Sequence, residues 1–366
     1  MKMHRGVLGA LASSLCILFA FPGGTAGAGQ AASCEPGGHV GPLAERIGAH
    51  LDEAVARGFS GAVLVERDDE VIHCSAHGWS DSTRVHPVTP RTLFFVASIT
   101  KQFTAAGILL LEEEGALEVA DSIGKFFPAL TGSPARITLH QLLTHTAGLT
   151  QNYMMDGIAV RDSAVAAVFA SFPPNPGREF NYTNDSYGIL AAVIEVASGQ
   201  SYESFVTRRL LKPAGMEHTT FWGFADDLDA GRFAQKFAER STQMRSPNWG
   251  YRGSVGIWSS VVDLYRWYRF AWRGSLLSES SRRLLFDRHV TLPSGTGIGY
   301  GTYTSPTTRG TTEIWTRGTE DFGHSAVVRW FPSEGVLIIV LSNSGEIDGT
   351  YANQLISDEI VELLFE

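Results

Sequence analysis

The sequence is most informative at Phe94-Phe95-Val96-Ala97-Ser98-Ile99-Thr100-Lys101, where an apolar run leads into a serine and a lysine three positions apart. If a helix begins near Ser98, positions i and i+3 share one face, so the hydroxyl of Ser98 and the amine of Lys101 can touch. A serine hydroxyl is a weak nucleophile at neutral pH, and an adjacent base, or a lysine kept neutral by burial or by a cationic neighbour, activates it. The stretch therefore predicts an activated serine.

The same S-x-x-K spacing occurs a second time, at Ser122-Ile123-Gly124-Lys125. This copy has a glycine inside it and no strand-like run before it, so the spacing by itself does not identify a site. The apolar residues that precede Ser98 favour the first copy as the nucleophile.

The length and composition are those of a globular protein, with 366 residues that are 44% hydrophobic and 18% charged, enough for one large domain or two. Residues 1–28 combine a basic start, an apolar run from Val7 to Phe21 and a small-residue cleavage site at Ala26-Gly27-Ala28. These features predict a secretory signal peptide rather than a membrane span. We therefore expect a secreted protein, or one of the periplasm or cell envelope, with no stable membrane span after signal removal.

The charge balance excludes some partners. The formal net charge is −9, and removal of Lys2 and Arg5 with the signal peptide makes the mature chain more acidic. An acidic exported chain without runs of basic residues is a poor candidate for binding nucleic acid or anionic membranes. We expect a small molecule or a peptide as the substrate, no cofactor and no metal; the oligomeric state stays open.

The mature chain has two cysteines, Cys34 and Cys74. Export makes a disulfide between them possible. One buried thiol and one N-terminal thiol is an equally good interpretation, so the sequence leaves both states open.

The hydrophobic pattern predicts an α+β fold. Residues Ala44 to Arg57 and Ser98 to Glu114 are periodic like helices, and residues 61–66 and 71–76 predict a hairpin. Near the C-terminus, residues 325–331 and 336–341 predict another hairpin, and residues 351–365 predict a helix. Strands at both ends predict one antiparallel sheet assembled from the two termini. The expected folded domain spans residues 29–366, with its sheet at about 40–119 and 291–366 and a mainly helical region at about 120–290.

Three further segments carry candidate chemistry. Tyr182-Thr183-Asn184 offers a phenol that can act as a base beside a cation, and an amide that can hold a substrate carbonyl or amide group. His145, in the segment 142–149, is a possible general base, although a histidine in such a place is more often a turn residue. In Thr316-Arg317-Gly318-Thr319, the glycine can let a substrate lie along the strand, and the next N–H can help to hold an oxyanion.

Together these segments resemble the serine β-lactamase-like hydrolases, which include class C β-lactamases, D-alanyl-D-alanine carboxypeptidases and esterases of the same fold. The resemblance runs from about residue 45 to the end of the chain. It is carried by the nucleophile segment 94–101, the L-L-T-H-T-S-G-L-like segment 142–149 with Ala147 in the serine's place, residues 181–188 and 195–199, Pro213-Ala214-Gly215-Met216, and residues 256–264. It implies a β-lactamase/transpeptidase-like fold and assigns Ser122-x-x-Lys125 to a connecting loop.

The resemblance also implies roles for individual residues. Ser98 is expected to be the nucleophile, Lys101 its cationic or basic partner, and Tyr182 the second member of the proton-transfer pair. Which of Lys101 and Tyr182 takes the Ser98 proton stays open, because the two can titrate as a coupled pair. Asn184 is expected to contact the acyl side of the substrate, and the backbone N–H groups of Ser98 and Thr319 are expected to form the oxyanion hole.

The third motif departs from the family pattern, in which a lysine or a histidine usually begins the K-T-G-like triplet. Here Thr316 occupies that position and Gly318 the glycine, and both are expected to bind substrate. Arg317 could supply a positive charge, but alternation along a strand directs it to the other face. His324 is nearby in sequence and is a second possible substitute. The missing cation disfavours carboxylate-bearing β-lactams and D-Ala-D-Ala peptides and favours a neutral ester or amide.

The sequence therefore predicts an exported serine hydrolase that acts through an acyl-enzyme on an ester or an amide. The alternative of a different class is a penicillin-recognising or other acylated binding or sensor protein without turnover. An α/β-hydrolase elbow at residues 323–327 is disfavoured, because Val327 replaces the last glycine, the next residues are strand-like and no histidine follows His324. The sequence contains no H-E-x-x-H segment or comparable cluster of histidines and carboxylates, so a metallohydrolase is not predicted.

Overall fold

The computed structural model of the chain describes residues 34, 41–150, 152–170, 177, 179–223, 231–235, 248–320 and 323–366. These residues belong to a compact unit that spans Ser33–Glu366. The predicted signal peptide, residues 1–28, lies outside the described residues. Within them, none of the helices has the length and apolar character needed to cross a membrane.

The described residues form α-helices and mostly short β-strands. The helices are α1 Pro42–Ala56, α2 Thr100–Glu113, α3 Leu139–Leu143, α4 Arg161–Ala170, α5 Asn184–Ser198, α6 Tyr202–Val206, α7 Val261–Trp267, α8 Glu279–Phe286 and α9 Ala352–Phe365. The strands are β1 Gly61–Arg67, β2 Glu70–His77, β3 Phe94–Phe95, β4 Thr220–Phe221, β5 Ile257–Ser259, β6 Val290–Thr291, β7 Gly297–Ile298, β8 Tyr303–Pro306, β9 Thr312–Thr319, β10 Ser325–Phe331, β11 Val336–Ser342, β12 Glu346–Ile347 and β13 Thr350–Tyr351.

One large antiparallel sheet joins the two ends of the chain. Its eight strands follow the order β2-β1-β11-β10-β9-β8-β7-β6. The closing contact is the antiparallel pair β1 and β11, which runs from Gly61 opposite Ser342 to Arg67 opposite Val336. The prediction of an α+β fold with a sheet assembled from both termini is therefore confirmed.

Strand alternation divides the core between the two faces of this sheet, because successive side chains of a strand point to opposite faces. Leu64 and Ile339 contribute to the large core around α2 and α5. Val63 and Ile338, one position away, pack into the smaller core beneath α1 and α9. β11 is buried along its whole length, as a central strand covered on both faces must be.

The middle of the chain contains strands as well as helices. β3, β5 and β4 form a separate three-stranded antiparallel sheet, in which Phe94 lies opposite Ser259 and Phe95 opposite Trp258. The sequence pattern predicts a mainly helical region between about 120 and 290, so β4 and β5 are a difference from that expectation. These short strands pair through main-chain groups, and they fix the chain just before Ser98.

A disulfide joins Cys34 to Cys74, the first of the two states that the sequence left open. Cys74 lies in β2 and is buried, whereas Cys34 precedes the first helix. The bond closes a loop across a sequence separation of 40 residues and so ties the N-terminal segment to the large sheet.

We expect the double variant Cys34→Ser/Cys74→Ser to have a free energy of unfolding about 4 kcal/mol lower than that of the parent chain, because a cross-link of this length restricts the unfolded state. Urea unfolding of the oxidised mature protein and of the variant measures the difference. Thiol titration of the urea-unfolded mature protein is the control: it should detect no thiol before reduction and two after it. Two thiols without reduction would contradict the disulfide.

Candidate active site

Ser98 lies in a tight turn between β3 and α2. The residue before it, Ala97, has a φ of 46°, a left-handed conformation that costs a non-glycine residue on the order of 1 kcal/mol. Residues Ala97–Ile99 form one turn of 3-10 helix, and α2 begins at Thr100. The strained turn is held on both sides, since Val96 N–H donates to the carbonyl of Ile257 and Ile257 N–H donates to the Thr100 hydroxyl.

The Lys101 amine is buried and contacts three oxygen atoms. Its Nζ lies 3.2 Å from Ser98 Oγ, 2.6 Å from Asn184 Oδ1 and 3.0 Å from the carbonyl oxygen of Ser254. The contact predicted from the i, i+3 spacing is therefore present. Ser254 was missed at the sequence level, because a residue that contributes only its carbonyl oxygen leaves no side-chain pattern.

Tyr182 and Asn184 approach Ser98 from the start of α5. The Tyr182 hydroxyl is 2.6 Å from Ser98 Oγ, and Lys101 Nζ lies 4.8 Å from the centre of the tyrosine ring. Thr183 caps α5 by accepting a hydrogen bond from the backbone N–H of Ser186. The cap fixes the first turn of the helix, so that the residues on either side of Thr183 both contact the Ser98 and Lys101 pair.

Burial shifts the protonation of both groups toward their neutral forms. It lowers the pKa of Lys101 well below 10.5, while the charge of Glu320 acts in the opposite direction. Burial also raises the pKa of Tyr182 above its ordinary value, the hydrogen bond with Ser98 opposing it. Both shifts arise because a charged group loses hydration in the interior. The site therefore favours an uncharged amine beside a protonated phenol.

His145 lies beside Tyr182 and is not hydrogen-bonded to Ser98. Its Nδ1 accepts the backbone N–H of Thr183 at 3.3 Å, its carbonyl accepts the N–H of Asn181 at 2.8 Å, and its ring centre is 4.5 Å from that of Tyr182. Burial lowers the pKa of His145 well below its ordinary value, and Lys101 lowers it further whenever its amine is protonated. These contacts make it a neutral group that fixes the segment carrying Tyr182.

The third motif forms the last four residues of β9. Thr316 is buried and lines the cavity together with Ser98. A Cβ atom on Gly318 would lie 2.2 Å from the carbonyl oxygen of Val96 and 2.8 Å from the amide nitrogen of Ser98, so only glycine allows β9 to approach this closely. Thr319, the last residue of β9, pairs with Ser325.

The two possible substitutes for the missing cation lie in other surroundings. The Arg317 side chain is exposed and donates to Gln354 Oε1 at 3.1 Å, in helix α9 on the opposite face of the sheet. The buried His324 ring is edge-on to Phe94 and Trp258, with centroid distances of 6.5 and 5.4 Å. Arg317 also lines the cavity at Ser98, but its guanidinium is directed away from Thr316 to Gln354.

Two other serines were possible nucleophiles: Ser122 of the second S-x-x-K copy, and Ser325 of the α/β-hydrolase-like segment. Both lie outside this arrangement. Ser122 forms an isolated bridge with Thr138, and the exposed Lys125 pairs with Asp121 at 2.5 Å. Ser325 begins β10, and its hydroxyl accepts the backbone N–H of Asn353. Because a strand follows Ser325, the sharp strand-to-helix turn of an α/β-hydrolase is not formed there.

A small cavity, about 10 Å³ in volume, lies between these groups and is close to the minimum for one water molecule. It is lined by Ser98, Lys101, His145, Tyr182, Tyr187, Ile298, Gly299, Gly301, Thr302, Tyr303, Thr316 and Arg317. The segment Gly299–Tyr303 was missed at the sequence level, because its residues enter the site only through the pairing of β7 and β8. Within the described residues, no group of three or more His, Cys, Asp or Glu side chains is suited to a metal ion.

An antiparallel sheet built from both chain ends, with Ser98 at the start of a buried helix, defines a β-lactamase/transpeptidase-like fold. The Beta-lactamase family model matches residues 47–359, and the chain belongs to this family. The resemblance found in the sequence motifs is thereby confirmed.

Known relatives and solved structures agree with this assignment. Among curated proteins, the putative penicillin-binding protein PbpX of Bacillus subtilis is 28% identical over 265 residues, which are 72% of this chain and 66% of the relative. Penicillin-binding protein 4* of the same organism is 29% identical over 270 residues, covering 66% of this chain and 58% of the relative. This chain thus spans less than two thirds of the length of either relative.

Two solved structures share the fold over most of this chain. The octameric penicillin-binding protein homologue from Pyrococcus abyssi has a TM-score of 0.74 at 25% identity, covering 87% of this chain and 77% of its own. The D-amino acid amidase from Ochrobactrum anthropi has a TM-score of 0.75 at 22% identity, covering 88% and 98%. At this identity, the amidase is evidence for the fold alone.

We expect Gly318→Ala to slow the reaction of Ser98 with a fluorophosphonate probe by about tenfold to a hundredfold, because the added methyl group displaces either β9 or the Ser98 turn. Labelling followed by mass spectrometry measures the rate. Gly48→Ala is the matched control, since its Cβ would meet only His73, at 3.8 Å. Equal labelling of Gly318→Ala and Gly48→Ala would contradict the close approach described here.

Proposed function

We propose that this protein is an exported serine hydrolase that cleaves an ester or an amide through an acyl-enzyme at Ser98. The observation that carries the proposal is the position of Ser98 Oγ, within hydrogen-bond distance of both the Tyr182 hydroxyl and the Lys101 amine. A nucleophile in contact with a base, which is itself oriented by further groups, is the arrangement that nucleophilic catalysis requires.

In this mechanism Lys101 is the base that accepts the Ser98 proton. The neutral amine has two N–H donors and one lone pair, and three oxygens surround it. The N–H groups donate to Asn184 Oδ1 and to the Ser254 carbonyl, which directs the lone pair toward the Ser98 hydroxyl. The raised pKa of Tyr182 supports a phenol that donates to Ser98 Oγ rather than a phenolate that takes its proton.

The chemical steps follow from that arrangement. Ser98 Oγ forms a bond to the substrate carbonyl carbon while its proton passes to Lys101 Nζ. The tetrahedral intermediate then collapses, and the leaving group departs with a proton returned by the Lys101 and Tyr182 pair. A water molecule, activated by the same pair, attacks the ester at Ser98 and releases the acid, which restores the free hydroxyl.

The backbone N–H groups of Ser98 and Thr319 are the proposed oxyanion hole. The approach of Gly318 to the Ser98 amide nitrogen supports this role, because it brings the end of β9 against the start of the Ser98 turn. β8 pairs only with residues Thr312 to Trp315, so the next residues of β9 are not covered by β8. An extended substrate segment bound there would direct its carbonyl between the two N–H groups.

The substrate is proposed to be an ester or amide whose recognition does not depend on a carboxylate. Asn184 and Thr316 are the proposed polar contacts to it, with Gly318 leaving room for its backbone. Thr316 provides a hydroxyl where a lysine or histidine would provide positive charge. The curated relatives are named as penicillin-binding proteins, which supports acyl transfer to serine without choosing a substrate.

Export is proposed from two independent features. The first 28 residues have the pattern of a signal peptide, and Cys34 and Cys74 form a disulfide, which persists in oxidising compartments. We therefore place the mature protein outside the cytoplasm, secreted or in the cell envelope.

The second candidate function is an acylated binding or sensor protein without turnover. The small cavity at Ser98, about 10 Å³ in volume, is the observation that favours it, because deacylation requires room for a water molecule beside the acyl group. Such a protein would react once with a penicillin or an ester and would retain the acyl group.

One experiment separates the two functions. The mature chain is assayed with a p-nitrophenyl ester, a chromogenic β-lactam and a D-Ala-D-Ala peptide, and its intact mass is recorded after each reaction. We expect Ser98→Ala to lose covalent turnover by several powers of ten, whereas Ser122→Ala, the matched control, keeps it. Acylated protein without released product would support the sensor, and near-normal turnover by Ser98→Ala would refute both functions.

We expect the acylation rate to rise with pH through the pKa of Lys101, because only the neutral amine accepts a proton. Since burial lowers that pKa well below 10.5, the rise should be complete well before pH 10.5. Lys101→Arg should abolish acylation, because a guanidinium remains protonated. Tyr182→Phe should be acylated more slowly, but its acylation rate should rise with pH over the same range as that of the parent protein. Stopped-flow acylation between pH 5 and pH 10 measures this.

Lys125→Arg, on the surface, is the control for the substitution at Lys101. The assignment of Lys101 as the base would be overturned by the opposite pattern. In that case Tyr182→Phe would lose the rise of the acylation rate with pH while Lys101→Arg retained acylation, since Tyr182 would then be the group that takes the proton.

A further inference from the structure

A second cavity lies between the large sheet and α9, on the face of the sheet opposite to Ser98. Its volume is about 220 Å³, whereas about 10–15 Å³ is enough for one water molecule. Strand alternation explains its position, because Arg317 projects to the opposite face from its neighbour Thr316. We call it the α9 cavity, and its walls include Glu313, Trp315 and Arg317 of β9, Arg329 of β10, and Asn353 and Gln354 of α9. The α9 cavity is thus large enough for a small organic molecule.

The arginine on β10 is already neutralised by carboxylates. Arg329 Nε lies 2.5 Å from Glu313 Oε1, and Arg329 Nη1 lies 2.5 Å from Asp358 Oδ1. A cationic ligand would have to compete with Arg329 for these two carboxylates. For the same reason Arg329 is a poor partner for an anionic ligand, since its charge is matched within the protein.

The arginine on β9 is held by neutral groups instead. Arg317 Nη1 donates to Gln354 Oε1 at 3.1 Å, and its guanidinium carbon lies 5.5 Å from the centre of the Trp315 ring. That ring is fixed in turn, because its Nε1 donates to Ser305 Oγ at 3.0 Å and it stacks on Tyr303 at 4.5 Å. Among the described residues, these contacts of Arg317 include no carboxylate. A guanidinium has five N–H donors in a planar fork, so Arg317 can bind a carboxylate with those that remain.

Asn353 provides a hydrogen-bond acceptor in the same cavity. The Asn353 side chain is fully buried, and its Nδ2 donates to the carbonyl of Ala326 at 2.7 Å, which fixes the orientation of the amide. Its Oδ1 has no hydrogen-bond partner among the described residues. A buried acceptor without a donor is unfavourable. A ligand with an O–H or N–H group would therefore be stabilised at this wall of the cavity.

We propose that the α9 cavity is a binding site for a small carboxylate that carries a hydroxyl or an amide N–H next to the carboxylate group. Arg317 binds the carboxylate, and Asn353 Oδ1 accepts the hydrogen bond of the neighbouring donor. Arg317 also lines the cavity at Ser98, so the ligand would lie directly across β9 from the catalytic serine. The inference does not rest on the proposed function, because it requires no reaction at Ser98.

Three ligands of similar shape test the inference by isothermal titration calorimetry of the mature protein at about pH 7. Mandelate has a carboxylate and a hydroxyl, phenylacetate lacks the hydroxyl, and the uncharged diol phenylglycol lacks the carboxylate. None of them contains an ester or an amide that Ser98 could cleave. We expect mandelate to bind most tightly, phenylglycol about tenfold or more weakly, and phenylacetate about threefold to tenfold more weakly than mandelate.

Substitutions on the two faces of β9 show where the ligand binds. Arg317→Gln should raise the Kd of mandelate about tenfold or more and leave that of phenylglycol nearly unchanged, so that the two ligands bind alike. Arg208→Gln is the matched control, since Arg208 is also exposed and its Nη1 donates to Gln200 Oε1 at 3.0 Å. Thr316→Val removes a hydroxyl from the Ser98 side of β9 and should leave the Kd of mandelate at its parent value.

Each contrary result overturns a stated part of the inference. Absence of mandelate binding, or an unchanged Kd in Arg317→Gln, would remove the site. Equal affinities of the parent protein for mandelate and phenylglycol would overturn the role of the carboxylate. Equal affinities for mandelate and phenylacetate would overturn the role of Asn353. A loss of mandelate binding in Thr316→Val would place the ligand in the cavity at Ser98 and would also overturn the proposal.

Discussion

The burial of the Lys101 amine is the constraint on which the site depends. An ammonium removed from water loses its hydration, so the interior favours the uncharged amine. The N–H groups of the buried amine still require hydrogen-bond acceptors. Asn184 and Ser254 satisfy it from two other segments of the chain. The lysine therefore orients Ser98 only because α5 and the segment before β5 are fixed against α2.

Close approach of main chains is the second requirement. The left-handed conformation of Ala97 turns the chain sharply at Ser98, and β9 lies directly against that turn because Gly318 has no side chain. Hydrogen bonds from the small sheet hold the strained turn in place. The large sheet, closed by β1 and β11, provides the rigid support that keeps β9 at this distance, so the precision of the site depends on the pairing of the two chain ends.

The distribution of charge distinguishes this site from the general pattern of the family. Thr316 replaces a basic residue, and the Arg317 guanidinium is directed to Gln354 in α9. The arrangement for forming an acyl-enzyme and the arrangement for selecting its substrate are thus carried by different residues. The first explains the family membership, and the second supports the proposed recognition of an ester or amide that carries no carboxylate.

The sequence by itself determined the local features: the helix that carries Lys101, the hairpins at both ends, the neutral third motif and the outward direction of Arg317, because helical and strand periodicities fix which neighbours share a face. Only the tertiary structure decided the disulfide of Cys34 and Cys74, the Ser254 carbonyl beside Lys101, and the burial of His324 among aromatic rings. These contacts join residues far apart in the chain, and a backbone carbonyl has no residue type by which a sequence could reveal it.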